Sequence, residues 1–225
     1  MNGIVFDIET RPMDLMDCQE FKPEFKPKAH LVQESAKAKD VAQQEERWEE
    51  KRGLNPLTSE VCAIGIWTPW NDCQYMTSRE ASEKEIIGWF LDLMTEKQHD
   101  AIIGFNSNRF DLPFICRRAW KYGLTPAIPS RGFSYDHRFK DLLEIWGAGQ
   151  SWKDRDQGAT LKLDALGRYF GVGEKSGSGK YFHILLDENP DEAIEYLCND
   201  VELTRACAKV MLGDVVNLEL EDDAL

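Results

Sequence analysis

Residues 3–9 read GIVFDIE, an apolar and β-branched run that ends in two acidic side chains. Residues 3–8 of this run, GIVFDI, predict a buried strand. Because side chains alternate along a strand, Asp7 and Glu9 are predicted to lie on the same face at its end. Two carboxylates about 4 Å apart repel each other by about 4 kcal/mol at an effective dielectric constant near 20. The pair therefore indicates either a strand that runs out into solvent or a site that binds a cation.

Five later segments predict how this strand is completed into a sheet. The apolar run at 61–67 and the run CQYMT at 73–77 predict a hairpin, and residues 80–97 predict a helix with one apolar face. Residues 101–105, AIIGF, predict a short buried strand that precedes a helix at 112–122. This order predicts an α/β fold with a mixed central β-sheet flanked by α-helices and with functional loops at the carboxyl ends of strands.

The C-terminal half of the sequence is predicted to be mostly helical. Residues 160–170 have a helical pattern, GEKSGSGK at 173–180 predicts a flexible loop, and 190–212 predict a long final helix with Asn189 as its N-cap. We expect one domain over residues 1–212. Within it, residues 22–52 are predicted to form a charged, helical insertion or arm. Residues 213–225 are predicted to form an acidic C-terminal tail.

Charge and composition limit the classes of function. The chain of 225 residues has 27 Lys and Arg against 40 Asp and Glu, which gives a formal net charge of −13. Proteins that coat nucleic acids or bind membrane surfaces need a positive field, whereas an enzyme that holds a few nucleotides at bound cations does not. With no CxxC pair and no apolar run near the roughly 20 residues of a membrane helix, we expect a reduced, cytoplasmic protein without a membrane partner.

A second acidic position follows the strand predicted at 101–105. The sequence GFNSNRFD over residues 104–111 predicts that this strand ends, that a polar loop follows, and that Asp111 opens a helix. Asp111 is open to two interpretations at this point. It could be a helix N-cap, which needs no ligand, or it could be a ligand of the same cation as Asp7.

A third motif lies inside the predicted final helix, where Tyr196 and Asp200 are four residues apart. Positions i and i+4 lie on one face of a helix, so the phenol and the carboxylate are predicted to extend toward the same region. An amphipathic helix could also carry both residues at its solvated edge.

Together the three motifs resemble the DEDD superfamily of 3′–5′ exonucleases. Asp7 with Glu9, Asn106 to Asp111, and Tyr196 to Asp200 match its Exo I, Exo II and Exo III motifs in the same order. The closer resemblance is to the tyrosine subclass (DEDDy), which includes the proofreading exonuclease domains of family B DNA polymerases and their stand-alone relatives. The resemblance implies a ribonuclease H-like fold.

Two connecting segments extend the resemblance over most of residues 3–212. FKDL at 139–142 and LKLDAL at 161–166 are similar to segments of the polymerase-like group. The histidine subclass would have a histidine at position 195, where this chain has Glu195. Tyr196 therefore assigns the chain to the tyrosine subclass.

The resemblance also implies a mechanism and its cofactors. It implies hydrolysis of phosphodiester bonds from the 3′ end of single-stranded DNA with two divalent cations, Mg²⁺ or Mn²⁺, and release of nucleoside 5′-monophosphates. Asp7 would bridge both ions, Glu9 and Asp200 would complete the first site, and Asp111 would support the second. Tyr196 would orient the attacking water, since a tyrosine with a pKa near 10 is a poor base at neutral pH.

Further residues are candidates for contacts with the nucleic acid. The resemblance and the loop chemistry indicate Ile8, Thr10, Asn106, Phe110 and Lys180. Phe110 could equally belong to the core, and the loop that carries Lys180 could be a solvated surface loop. Trp146 and Trp152, which lie in a glycine-rich stretch, are candidates for base stacking.

Two alternative functions remain at this point. The substrate could be RNA, because one contact with a 2′-hydroxyl would discriminate it from DNA. A catalytically silent copy of the fold could instead bind nucleic acid or protein, although the complete set of acidic residues speaks against it. A replication or repair protein is a possible partner, and residues 22–52 are the candidate segment for that contact.

Overall fold

The computed structural model describes residues 1–97, 100–129, 131–148, 161–177 and 179–220. The chain divides into two compact units. The larger unit consists of Met1–Glu9 and Val61–Leu225, and the smaller unit is Thr10–Glu60. With the exception of Thr10, every predicted site residue lies in the larger unit.

The described strands form one mixed sheet. They are β1 Gly3–Pro12, β2 Ser59–Thr68, β3 Asn71–Thr77, β4 Ala101–Gly104 and β5 Phe139–Asp141. Their order across the sheet is β3-β2-β1-β4-β5. The predicted hairpin β2–β3 is antiparallel, whereas β4 runs parallel to both β1 and β5. The sheet confirms the predicted α/β class and is consistent with a ribonuclease H-like fold.

Helices account for most of the remaining described residues. They are α1 Leu15–Cys18, α2 Glu34–Arg52, α3 Glu83–Glu96, α4 Asp111–Lys121, α5 Leu142–Trp146, α6 Leu163–Phe170, α7 Phe182–Glu188 and α8 Pro190–Leu212. Short 3₁₀ helices cover Gln19–Phe21, Phe133–Tyr135, Gly179–Tyr181 and Gly213–Val215. None of the described helices has the length and apolar character needed to span a membrane.

The alternation of side chains along β1 determines which helices the two acidic residues face. Phe6 packs in a core cluster with Phe90 of α3, whereas Val5 packs in a second cluster with Val201 of α8. Successive side chains of a strand point to opposite faces, so Asp7 lies on the face of Val5. The first acidic motif is therefore directed toward the helix that carries the third.

Strand β1 is longer than the sequence predicted. The predicted strand stops at residue 8, but β1 continues to Pro12, so Asp7 and Glu9 lie within the strand and not at its end. In the smaller unit the chain beyond the strand remains paired, because the Met13 amide donates to the carbonyl of Thr58. Continued backbone pairing therefore prolongs a strand whose apolar run has ended.

The predicted helical insertion at 22–52 contains α2 and lies within the smaller unit. The rings of Phe25 and Trp48 are 6.3 Å apart, and the ammonium of Lys22 lies 5.3 Å from the Trp48 ring. Aromatic and cationic contacts therefore support a helix with little apolar surface.

The predicted acidic tail at 213–225 begins with a segment that packs against other parts of the larger unit. The Gly3 amide donates to the carbonyl of Asn217 at 2.9 Å, and Val216 and Leu218 are buried. These two apolar side chains contribute to the cluster around Val5. Residues 221–225 lie outside the described part of the chain.

The structure also departs from the expectation of a fully reduced chain. Cys73 of β3 and Cys198 of α8 form a disulfide, and Cys18, Cys62, Cys116 and Cys207 are buried and take no part in it. The paired cysteines are 125 residues apart in the sequence, so no local spacing motif indicates them.

Candidate active site

Three carboxylates meet where β1 and α8 face each other. Asp7 and Glu9 of β1 and Asp200 of α8 each offer an oxygen, and these oxygens lie within 4.8 Å of one another. Asp200 is 1% exposed, and Glu9 is also buried. The structure thus brings together three of the four predicted metal ligands from opposite ends of the sequence.

The polar atoms of this cluster fit a divalent cation. Within the described residues, Oδ1 of Asp200 is buried without a hydrogen-bond partner. A buried polar group without a partner costs stability. Carboxylate oxygens are the ligands that Mg²⁺ and Mn²⁺ prefer, so such an ion would satisfy the acidic cluster.

The electrostatics of the cluster also favour a bound positive charge. Burial, and then the charge of Asp200, raises the pKa of Asp7 from 3.8 to about 7. Burial, followed by the charge of Asp7, raises the pKa of Glu9 well above its usual value. Without a cation the cluster therefore retains protons that isolated carboxylates would have released at neutral pH.

Asp111 lies beside this cluster and not within it. Burial, and next the charge of Asp7, raises the pKa of Asp111 well above its ordinary value, which shows that the two carboxylates interact. Helix α4 begins at Asp111 itself, with Phe110 at the N-cap position. The interpretation of Asp111 as an N-cap therefore does not describe its place in the helix.

Tyr196 is buried beside the carboxylates, and its ring lies 6.1 Å from that of Phe182. Burial, and then the charge of Asp200, raises the pKa of the phenol. The hydroxyl therefore stays protonated at neutral pH and can donate a hydrogen bond. A protonated phenol is a hydrogen-bond donor and not a general base.

Lys175 is a site residue that the sequence prediction did not assign to the acidic cluster. Its ammonium nitrogen lies 2.5 Å from Oδ2 of Asp200 and 5.4 Å from the ring of Tyr196. Burial lowers the pKa of Lys175, but the carboxylates of Asp200, Asp7 and Glu9 together outweigh burial, so the pKa is raised. Charge reasoning alone gives a signal for this contact, because buried carboxylates need a cationic neighbour.

A hydrogen bond to Asp164 holds the loop that carries Lys175 at the site. The Lys175 amide donates to Oδ1 of Asp164 at 3.1 Å, and the same carboxylate pairs with Arg168 at 2.5 Å. A Cβ at Gly179 would lie 3.1 Å from Oε1 of Glu9, and one at Gly177 would lie 3.3 Å from the Tyr196 ring. The glycines that predicted a flexible loop therefore permit close approach to the acidic cluster.

The loop between β4 and α4 is organised by Asp141, a second residue whose role the sequence prediction missed. Its carboxylate accepts the amides of Asn106 at 2.9 Å, Asn108 at 3.1 Å and Leu143 at 2.9 Å. Asn106 has a φ of 61°, a conformation that Asn tolerates better than most residues. The signal for this role was the position of Asp141 immediately before a helix.

A cleft of about 750 Å³ opens over the cluster. The predicted site residues on its wall are Asp7, Ile8, Glu9, Asn106, Phe110, Asp111 and Tyr196. Phe110 also packs against Phe114, with ring centroids 5.6 Å apart, so it contacts both the cleft and the core.

Thr10, Lys180 and Trp146 do not line this cleft. The Thr10 hydroxyl donates to the Gly53 carbonyl in the smaller unit, so this side chain is not part of the cleft wall. Lys180 is exposed beside the cleft-lining Gly179, with its ammonium 5.5 Å from the Tyr181 ring. Trp146 is half-exposed against Tyr169, and the predicted role of Trp152 lies outside the described residues.

Comparison with protein families gives one match that covers more than half of the chain. The model of the family described as "DNA polymerase family B, exonuclease domain" matches residues 3–147. That range includes the first two acidic motifs and the segment around Asp141.

Similar curated proteins are DNA polymerases of archaea. DNA polymerase 2 of Aeropyrum pernix is 28% identical over 86 residues, which cover 38% of this chain and 11% of that protein. The DNA polymerase of Pyrococcus glycovorans is 46% identical over 44 residues, which cover 20% of this chain and 6% of that protein. The chain thus matches only a small part of the length of these relatives.

A solved structure shares the fold over nearly the whole chain. The family B DNA polymerase from the hyperthermophilic archaeon Pyrobaculum calidifontis aligns with a TM-score of 0.62 and 18% sequence identity. The alignment covers 93% of this chain and 24% of that polymerase chain.

Proposed function

We propose that this chain, which belongs to the family of exonuclease domains of family B DNA polymerases, removes nucleotides from the 3′ end of single-stranded DNA. Membership of that family makes the chain a 3′–5′ exonuclease, and therefore a hydrolase. The products proposed are nucleoside 5′-monophosphates. Assignment to the tyrosine subclass rests on Tyr196, which lies four residues before Asp200 in α8.

The observation that carries the proposal is the acidic cluster at the floor of an open cleft. Asp7, Glu9 and Asp200 place oxygens within 4.8 Å of one another, and the buried Oδ1 of Asp200 has no hydrogen-bond partner in the described part of the chain. An arrangement that burial destabilises in this way is typical of a cation site.

The chemistry of the donor set indicates where two cations would be held. Asp7, Glu9 and Asp200 would hold one ion, and Asp7 with Asp111 would hold the second. Such ions, Mg²⁺ or Mn²⁺, supply stabilisation of the attacking and leaving oxygens in a displacement at phosphorus. The oxygen-only ligand set suits either metal.

Side chains of the cleft supply the remaining functions. The Tyr196 hydroxyl, which stays protonated, donates a hydrogen bond that orients the water for attack in line with the leaving 3′ oxygen. Lys175 compensates the negative charge of Asp200 and is close enough to the cluster to pair with a phosphate oxygen of the substrate.

The proposed substrate contacts follow from the wall of the cleft. Ile8 and Asn106 would contact the terminal nucleotide, and Phe110 offers a ring against which its base would pack. Lys180, next to the cleft-lining Gly179, would pair with a phosphate of the strand.

Incubation with 5′-labelled oligonucleotides tests the proposal. We expect single-stranded DNA to shorten from its 3′ end in Mg²⁺ or Mn²⁺, to stay intact with a chelator, and to release 5′-monophosphates. An RNA of the same sequence serves as the matched substrate. Faster shortening of the RNA would reassign the substrate to RNA, and binding of DNA without shortening in either metal would indicate a silent binding module.

A further inference from the structure

We propose that Trp146 and Tyr169, together with Lys162 and Arg168, form a binding surface for the part of the single strand upstream of its 3′ end. This inference rests on the proposed function, because the strand must leave the cleft along one of its walls. We call these four residues the strand surface.

The strand surface continues the wall of the cleft. Leu143 of α5 and Arg168 of α6 both line the cleft. Trp146 follows Leu143 by three residues in the same helix, and Tyr169 follows Arg168 directly. The centroids of the two rings are 5.4 Å apart, so contact between them joins the two helices that form this wall.

The two rings are exposed although they are held in place. Tyr169 is 73% exposed and Trp146 is 38% exposed. Both rings contact Phe170, at 5.4 Å and 6.1 Å between centroids, and Phe170 packs against the core cluster around Val5. An exposed ring that is fixed from below loses little conformational freedom when a base stacks on it.

Charge on the same wall is suited to a phosphate backbone. Lys162 and Arg168 are exposed and line the cleft in a protein whose net charge is −13. Arg168 shares its charge with Asp164, which leaves part of the guanidinium free to pair with a phosphate. Exposed cationic side chains beside exposed rings are the combination by which proteins bind single strands without reading their sequence.

The occupant proposed is single-stranded DNA and not a duplex or a protein segment. Stacking on Trp146 and Tyr169 requires bases that are free of their complementary strand. The positive charges of Lys162 and Arg168 favour a polyanion over a protein surface that has few acidic residues. The predicted consequence is that affinity depends on the length of the strand beyond the terminal nucleotide.

The test compares two DNA lengths with the full 225-residue chain. Binding of a 12-nucleotide strand is measured by fluorescence anisotropy in Ca²⁺, and hydrolysis of a trinucleotide is measured in Mg²⁺. The variants are Tyr169→Ala and Trp146→Ala, with Tyr169→Phe as the conservative replacement. Tyr135→Ala is the matched control, since Tyr135 is 81% exposed and does not line the cleft.

We expect Tyr169→Ala and Trp146→Ala to weaken binding of the 12-nucleotide strand about 10-fold. Hydrolysis of the trinucleotide should change less than about 2-fold, and Tyr169→Phe and Tyr135→Ala should match wild type. Unchanged binding by Tyr169→Ala would overturn the proposal, as would an equal loss on both DNA lengths, which indicates a packing role.

The two proposals fail in different ways. If the wild-type chain binds the 12-nucleotide strand but degrades nothing, the hydrolytic function fails, and the binding comparison still decides on the strand surface. If the wild-type chain does not bind the 12-nucleotide strand, the strand surface is refuted. Tighter binding of a duplex than of the single strand would also refute it.

Discussion

The ammonium nitrogen of Lys175 lies 2.5 Å from Oδ2 of Asp200, so a lysine from a glycine-rich loop compensates the carboxylate that α8 brings to the acidic cluster. The charge of Lys175 also lowers the pKa of Asp7 and of Glu9, against the larger effect of burial. One lysine thus acts on three acidic residues that come from two elements. Several properties of the site depend on this contact.

Replacement of Lys175 by Met should lower kcat for DNA hydrolysis about 10- to 100-fold, because a hydrogen bond to a charged group is worth about 1.5–3 kcal/mol. Lys175→Arg should retain part of the activity because it keeps the charge. Single-turnover hydrolysis of a short DNA measures the effect, with Lys84→Met on α3 as the exposed control. Wild-type rates for Lys175→Met would show that the lysine has no part in the reaction.

Asp164 should act through Lys175, since its carboxylate accepts the Lys175 amide at 3.1 Å. Asp164→Ala alone should cost about 5- to 10-fold in rate, the worth of roughly 1 kcal/mol. In a Lys175→Met background the same substitution should cost almost nothing further. A double-mutant cycle measures this coupling, with Asp187→Ala on α7 as the control. Additive losses of rate in the double mutant would show that Asp164 does not act through Lys175.

Stability of the metal-free protein should depend on the titration of Asp7. Its pKa is raised from 3.8 to about 7 on folding, so the folded state binds the proton more tightly and this group's contribution to stability is lost as pH rises between these values. A divalent cation competes with the proton, so Mn²⁺ should raise Tm more at pH 8 than at pH 5.5. Thermal melts with chelator or Mn²⁺ at both pH values measure this.

The Asp7→Asn variant is the control for that experiment. It has no carboxylate to titrate at position 7, so both the pH effect and the Mn²⁺ effect should be smaller. Equal stabilisation of the variant and of wild type by Mn²⁺ would place the ion somewhere else.

The disulfide between Cys73 and Cys198 should contribute to stability, because it closes a loop of 125 residues in the unfolded chain. For a loop of this length the chain-entropy model gives about 5 kcal/mol, which engineered variants often fail to reach. Dithiothreitol should therefore lower Tm of wild type but not of Cys73→Ser. A wild-type Tm that does not respond to reductant would show that the two cysteines are not paired in solution.

The sequence predicts the elements of this fold where the signal is local. Helix α8 spans 190–212 as predicted, since Pro190 and Gly213 mark its ends. Helix α3 begins at 83 and not at 80, because Ser82 and Glu85 form a capping box that starts it. The length of β1 could not be predicted, because pairing beyond its apolar run decides it.

The residues of the candidate site could likewise be predicted only where the sequence signal is local. The spacing of Asp7 with Glu9 and of Tyr196 with Asp200 places each pair on one face of its element. No spacing rule brings Lys175 to Asp200 or Asp141 to Asn106, because both contacts form between segments distant in the sequence. The disulfide between Cys73 and Cys198 could not be predicted for the same reason, since its cysteines are 125 residues apart. The contact expected between the backbone of Thr10 and the terminal nucleotide stays a prediction, and the Thr10 side chain bonds to Gly53 of the smaller unit.

The most direct test of the acidic cluster is the rate at which Asp7→Asn and Asp200→Asn release the 3′-terminal nucleotide from single-stranded DNA in Mg²⁺. We expect both variants to be slower than wild type by at least about 10³-fold, since a lost ligand forfeits several kcal/mol of charge stabilisation. Both should remain folded, because each substitution relieves repulsion between carboxylates. Asp92→Asn, an exposed position on α3, should match wild type. A folded Asp7→Asn or Asp200→Asn protein that retains activity within about 10-fold of wild type would contradict the assignment of this cluster as the catalytic centre.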